Sequence, residues 1–188
     1  MEVYIDFDRT LFDCDRFIED FNNLLTEYNI LKDDFYKYQN QCKNFNPYNI
    51  LELMSKEKKV NKDVYGAIDN LVSKTSDYIF PDVIPFLEYL NNHGYMPTIL
   101  SKGDYDFQMN KILSSNIDLY YGGIIITEKH KGELNIDYAN SIFIDDREEE
   151  LKSIIEKNPK RVILVQRNGI KNPNIETVSS LIELINNI

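Results

Sequence analysis

The chain holds only two cysteines, Cys14 and Cys42, among 188 residues. Two thiols build no disulfide framework, and the spacing and partners for a zinc site are missing. They read as reduced, cytosolic usage with no redox role. No stretch approaches the ~18 apolar residues of a membrane-spanning helix. The opening MEVYIDFDRT lacks the basic segment and apolar run of a signal peptide, so the expected compartment is the cytoplasm. Positive charge is also in deficit: 21 Lys and Arg stand against 31 Asp and Glu, a net charge of −10. Such a surface exerts no diffuse pull on nucleic acid or an anionic membrane, and neither is an expected partner. A phosphate-binding site would have to be a local basic pocket. Internal repeats and low-complexity linkers are absent.

What is present suits a soluble globular protein. Hydrophobic residues make up 43% and charged residues 28%, which excludes global disorder. The length fits one domain, or a core with a small insertion. Val3-Tyr4-Ile5 is a short apolar strand that runs into Asp6-Phe7-Asp8. From Asp15 to about Asp77 the spacing is helical. Phe17, Phe21, Leu24, Leu25 and Tyr28 share one face. Phe35, Tyr38 and Cys42 suggest a second helix, Asn46-Pro47 starts a third, and Asn61 caps a fourth. Beyond this segment strands and helices alternate. Asp82 is expected to cap a helix that ends at His93-Gly94. Strands are expected at 96–100, 123–127, 141–145 and 161–166, with helices at 104–114 and 148–157 and a terminal helix at 175–188. Such alternation implies right-handed crossovers and a parallel sheet.

In a parallel sheet all strand carboxyl ends lie on one edge, where ligands bind. Strand one ends in Asp6-Phe7-Asp8-Arg9-Thr10, the second in Ser101-Lys102-Gly103, and the strand at 141–145 in Asp145-Asp146. Four carboxylates and a hydroxyl thus meet at one crevice. Bare anions at that density raise one another's pKa values, and a divalent cation removes the conflict. All-oxygen ligation points to Mg²⁺.

These segments resemble the motifs of the haloacid dehalogenase (HAD) superfamily of phosphatases. Tyr4-Ile5-Asp6-Phe7-Asp8-Arg9-Thr10-Leu11 matches the first motif, and Pro97-Thr98-Ile99-Leu100-Ser101 the second. Lys129 and Lys131 are candidates for the third, and Ser141-Ile142-Phe143-Ile144-Asp145-Asp146 matches the fourth. The resemblance implies a Rossmann-like, doubly wound α/β sheet with strand order 5-4-1-2-3. It implies a core at 1–14 and 79–188 and a small helical cap at 15–78. It also implies roles. Asp6 would be the nucleophile that forms an aspartyl-phosphate, and Asp8 the acid and base. Ser101 and one lysine would bind phosphoryl oxygens. Asp6, the Asp8 carbonyl, Asp145 and Asp146 would serve Mg²⁺, and Thr10 would orient Asp8 or its loop. Arg9, Thr10, Ser101, Lys102 and Gly103 are the candidate substrate contacts. Arg9 stands where many members carry glycine. Between the lysines, Lys131 is preferred because it precedes Gly132-Glu133-Leu134, a short helical entry from which it can point back over the crevice. His130 is read as incidental, and Glu148, Glu149 and Glu150 as first-turn acids serving a helix dipole.

The expected activity is phosphohydrolysis of a small phosphorylated metabolite or nucleotide, by a monomer or homodimer. A phosphomutase uses the same motifs and is the alternative, as is a catalytically inactive phospho-ligand scaffold. A dehalogenase is disfavoured, because halide departure needs no acid at Asp8. A receiver-like regulator is disfavoured by the Asp-x-Asp spacing and the large insertion.

Overall fold

The computed structural model describes residues 1–188. In chain order the elements are β1 (Glu2–Ile5), α1 (Cys14–Glu27), α2 (Lys32–Gln39), α3 (Pro47–Ser55), α4 (Asp63–Val72), α5 (Val83–Asn92), β2 (Thr98–Lys102), α6 (Tyr105–Leu113), β3 (Gly123–Thr127), β4 (Ser141–Asp145), α7 (Glu148–Ile155), β5 (Arg161–Val165) and β6 (Thr177–Val178). The six strands form one parallel sheet in the order β3-β2-β1-β4-β5-β6. The expected order 5-4-1-2-3 is present, with β6 added outside β5. No helix is long and apolar enough to cross a membrane.

The sheet is covered on both faces, as parallel sheets require. Val3, Ile5, Ile99, Ile142, Ile144, Ile163 and Val165 join the larger apolar cluster, and Tyr4, Leu100, Phe143 and Leu164 the smaller one. This is the two-residue period of a strand read across neighbouring strands. The helices α1 to α4 lie in sequence between β1 and α5. Their buried residues Phe21, Phe35, Ile50 and Ile68 belong to the same larger cluster as the sheet, so one continuous core holds both.

Local chemistry starts these helices. Asp13 Oδ1 accepts from Arg16 N–H at 3.1 Å ahead of α1. Asn46 Oδ1 accepts from Tyr48 N–H at 3.0 Å, with Pro47 in the first turn of α3. Gly94 ends the α5 segment at φ +81°, a left-handed conformation that favours glycine.

Three expectations need correction. The segment 175–188 is not a helix. Its Thr177-Val178 pairs with Leu164-Val165, and Leu181–Leu184 forms only a 3₁₀ turn. The open edge of β5 supplies partners that a helix would forgo: Leu164 N–H donates to Glu176 O and Gln166 N–H to Val178 O, each at 2.8 Å. The second strand also extends two residues further than expected, so Ser101 and Lys102 lie within β2. Asp82 precedes α5 without capping it. Its Oδ2 instead accepts from Arg167 Nη1 at 2.5 Å, Ser180 Oγ at 2.6 Å and Leu181 N–H at 2.8 Å. Asp82 thereby ties the C-terminal segment to the core.

Candidate active site

Strand register assembles the acids. Ile5 pairs with Ile144, and Asp6 N–H donates to Ile144 O at 2.8 Å. Asp6 and Asp145 therefore leave adjacent strands side by side. One carboxylate oxygen from each of Asp6, Asp145 and Asp146 falls within a 4.8 Å span. Asp6 and Asp145 are buried, and Asp146 is half-buried.

Lys131 enters this cluster from the 3₁₀ turn Lys131–Glu133. It is 2% exposed, and its Nζ donates at 2.5 Å to both Asp6 Oδ1 and Asp145 Oδ2. Lys129 is exposed and its side chain is not part of the cluster. Gly132 makes the approach possible. A Cβ there would lie 2.2 Å from Ser153 O, so any side chain would lift the loop off α7.

The charges do not balance within the protein. Three carboxylates against one ammonium leave two negative charges, the complement of a divalent cation. Burial, then Asp145 and Asp146, holds Asp6 well above the usual carboxylate range, although Lys131 opposes the rise. Burial and then Asp145 push Asp146 up to about 7. Lys131 is held above its ordinary range: burial acts to lower it, but Asp145 and Asp6 outweigh that. A compact set of hard oxygen donors with uncompensated charge fits Mg²⁺.

Asp8 lies apart from this cluster. Its carboxylate takes Lys111 Nζ at 2.5 Å on Oδ1 and Gln108 Nε2 at 2.7 Å on Oδ2. Gln108 Nε2 also donates to Ser101 Oγ at 2.8 Å. Thr10 does not orient Asp8. It is fully buried, and its hydroxyl has no hydrogen-bond partner. Its carbonyl accepts from Arg167 Nη2 at 2.5 Å, which places Thr10 in loop packing. Arg9 has φ +59°, the left-handed conformation that explains glycine at this position in related motifs. Its guanidinium pairs with Asp15 at 2.8 Å, with both side chains exposed.

Asp8 opens onto a cavity of about 430 Å³ between the sheet edge and the inserted helices. Arg9, Lys102 and Gly103 line it from the sheet side, and Phe17, Tyr36, Gln39, Lys43 and Phe45 from the insertion. The insertion is pinned over this space. Glu128 accepts from Lys43 Nζ at 2.6 Å and Asn44 Nδ2 at 2.7 Å, and Asp104 Oδ1 accepts from Asn46 Nδ2 at 2.9 Å. Phe45 packs edge-on against Phe107 with centroids 5.4 Å apart.

Glu150 has a role its position in the helix did not suggest. It is fully buried. It accepts from Lys131 N–H at 2.8 Å and Lys102 Nζ at 2.6 Å, with His130 Nδ1 at 3.0 Å. Glu148 and Glu149 do stay at the surface, paired with Lys152 and Arg147. Sequence reasoning missed Glu150, Gln108 and Lys111. The available signal was polar side chains on helix stripes otherwise filled by Phe107, Ile112, Leu151 and Ile154.

The profile of the haloacid dehalogenase-like hydrolase family matches residues 3–153. The chain belongs to this family. Solved structures of HAD-like proteins share its fold. A HAD phosphatase from Thermococcus onnurineus is 18% identical with a TM-score of 0.70, over 97% of this chain and 95% of that one. A haloacid dehalogenase-like hydrolase from Burkholderia xenovorans LB400 is 17% identical with a TM-score of 0.74, over 97% and 96%. The L-2-haloacid dehalogenase from Xanthobacter autotrophicus is 12% identical with a TM-score of 0.66, over 100% and 98%. A search of curated proteins found no match to the sequence. The HAD-like fold thus hosts both phosphoryl and carbon–halogen chemistry, and the site must decide between them.

Proposed function

We propose that this HAD-like hydrolase is a Mg²⁺-dependent phosphohydrolase acting on a small phosphorylated metabolite or nucleotide. The observation that carries the reading is the pair of acids two residues apart. Asp6 is buried against Lys131, and Asp8 faces the cavity with 31% of its side chain exposed. A carbon–halogen substrate leaves as halide and needs no proton. A phosphate ester leaves as an alkoxide and does.

In the first step an Asp6 carboxylate oxygen attacks phosphorus, the bond from phosphorus to the ester oxygen breaks, and Asp8 gives that oxygen its proton. In the second step Asp8 takes a proton from water as the water oxygen attacks phosphorus. The aspartyl–phosphorus bond breaks, and Asp6 and inorganic phosphate are regenerated. Lys131 faces the charge that develops on the phosphoryl oxygens, and Ser101 can donate its hydroxyl to one of them. Asp6, Asp145, Asp146 and the Asp8 carbonyl would hold Mg²⁺, which would supply electrostatic stabilisation of the phosphoryl group. The segment 15–78 is read as a cap that shields the cavity from water and contacts the leaving group.

A panel of phosphate monoesters assayed for released phosphate with Mg²⁺ tests the reading. Hydrolysis of at least one, with an acid-stable, hydroxylamine-sensitive phosphoenzyme lost in Asp6→Asn, is expected. Release of halide from 2-haloacids with no phosphatase activity would overturn it.

A further inference from the structure

The charged amine of Lys111 is 3% exposed, in a setting that an apolar side chain would fill equally well. The rings of Phe12, Phe107 and Phe7 surround it, their centroids 4.9, 5.3 and 5.7 Å from Nζ. Its one ion-pair partner is Asp8. Burying an ammonium is costly unless it is paired, so the cation is accounted for by that carboxylate. Gln108, one turn earlier on the same side of α6, is equally buried. Its Nε2 bridges Asp8 Oδ2 and Ser101 Oγ, while its Oε1 has no partner. Exchanging the amide ends would set Oε1 against a carboxylate, so the donor orientation is fixed. Gly103 leaves the room for it: a Cβ there would approach Gln108 Cγ to 3.0 Å.

We propose that Gln108 and Lys111 are positioning residues that hold the Asp8 carboxyl group toward the leaving oxygen, each donor leaving a second lone pair on its oxygen for the transferred proton, and free the Ser101 hydroxyl to donate. The proposal rests on the assignment of Asp8 as acid and base. Each carboxylate oxygen of Asp8 receives one fixed donor, which removes the rotation an exposed Asp would otherwise have. Because Gln108 supplies a proton to the Ser101 oxygen, the single Ser101 proton is left for a phosphoryl oxygen.

The test compares wild type, Lys111→Met, Lys111→Arg, Asp8→Asn and the Asp8→Asn/Lys111→Met double variant in Mg²⁺. Substrates are p-nitrophenyl phosphate, with a good leaving group, and glycerol phosphate, with a poor one. Circular dichroism and thermal melting confirm each fold. Lys111→Met, close in length and uncharged, is expected to lower kcat on glycerol phosphate by about 10²-fold with KM changed by less than about twofold. Formation of the phosphoenzyme from p-nitrophenyl phosphate should fall far less. Lys111→Arg should restore part of the loss. In the Asp8→Asn background Lys111→Met should cost nothing further, because its effect passes through Asp8. An unchanged kcat in Lys111→Met overturns the proposal alone. So does a raised KM on both esters, or a full additional loss in the double variant, either of which makes Lys111 a substrate contact. Wild type inactive on both esters and on the wider panel overturns the phosphohydrolase reading and this proposal with it.

Discussion

The backbone N–H of Lys131 donates to the buried carboxylate of Glu150 at 2.8 Å, across 19 residues of sequence. The same carboxylate holds Lys102. Glu150 thus fixes the turn from which Lys131 reaches Asp6. Burial acts to raise the Glu150 pKa, but Lys102 and the Lys131 N–H outweigh it, and the carboxyl sits below its ordinary 4.5. A carboxyl depressed in the folded state adds stability that is present above the ordinary value and lost as pH falls through the folded one. Glu150→Gln should therefore cost about 1–3 kcal/mol at pH 7. Its deficit should shrink as the pH drops below about 4.5. Urea unfolding at several pH values checks both, and a deficit that grows toward acid pH contradicts the assignment.

Lys131→Ala should lower kcat by about 10²-fold, the ~3 kcal/mol typical of a donor facing transition-state charge. Lys129→Ala should stay near wild type, since Lys129 is exposed and apart from the acids. Steady-state kinetics at saturating Mg²⁺ rank the two, and the reverse ranking would move the phosphoryl contact to Lys129.

Metal binding should be measurable without turnover. At 100 times its dissociation constant, Mg²⁺ should stabilise the fold by about 2.7 kcal/mol, seen as a rise in Tm. Asp145→Asn should abolish that rise, because Asp145 is one of the three acids that face one another. Excess chelator should remove the wild-type activity and added Mg²⁺ should restore it. Undiminished activity in chelator would rule out a required metal.

Gly132→Ala should be disproportionately harmful for one methyl group. The added Cβ meets Ser153 O at 2.2 Å, a backbone atom that cannot swing aside. Overpacking of this kind costs about 1–3 kcal/mol. Because the displaced turn carries Lys131, kcat should fall as well. Gly66→Ala, where a Cβ meets nothing within 4 Å, is the matched control. Equal effects on activity in the two variants would dissociate the turn from the site.

Much of the fold was legible because it is written locally. Short apolar runs gave β1, β3, β4 and β5, and helical spacing gave α1 to α7 to within a few residues. Three of the four acids at strand ends, Asp6, Asp145 and Asp146, meet as the sequence suggested, since parallel strands put all their carboxyl ends on one edge, whereas Asp8 turns away to Lys111 and Gln108. Tertiary structure decided what depends on partners distant in sequence. It turned the terminal segment from the expected helix into β6, because the edge of β5 offered hydrogen bonds. It brought Lys131 rather than Lys129 to Asp6, through a turn packed on α7. It also set Gln108 and Lys111 against Asp8, 100 and 103 residues away. No periodicity in the chain encodes those contacts, since they exist only once α6 has packed beside β3 at the sheet edge.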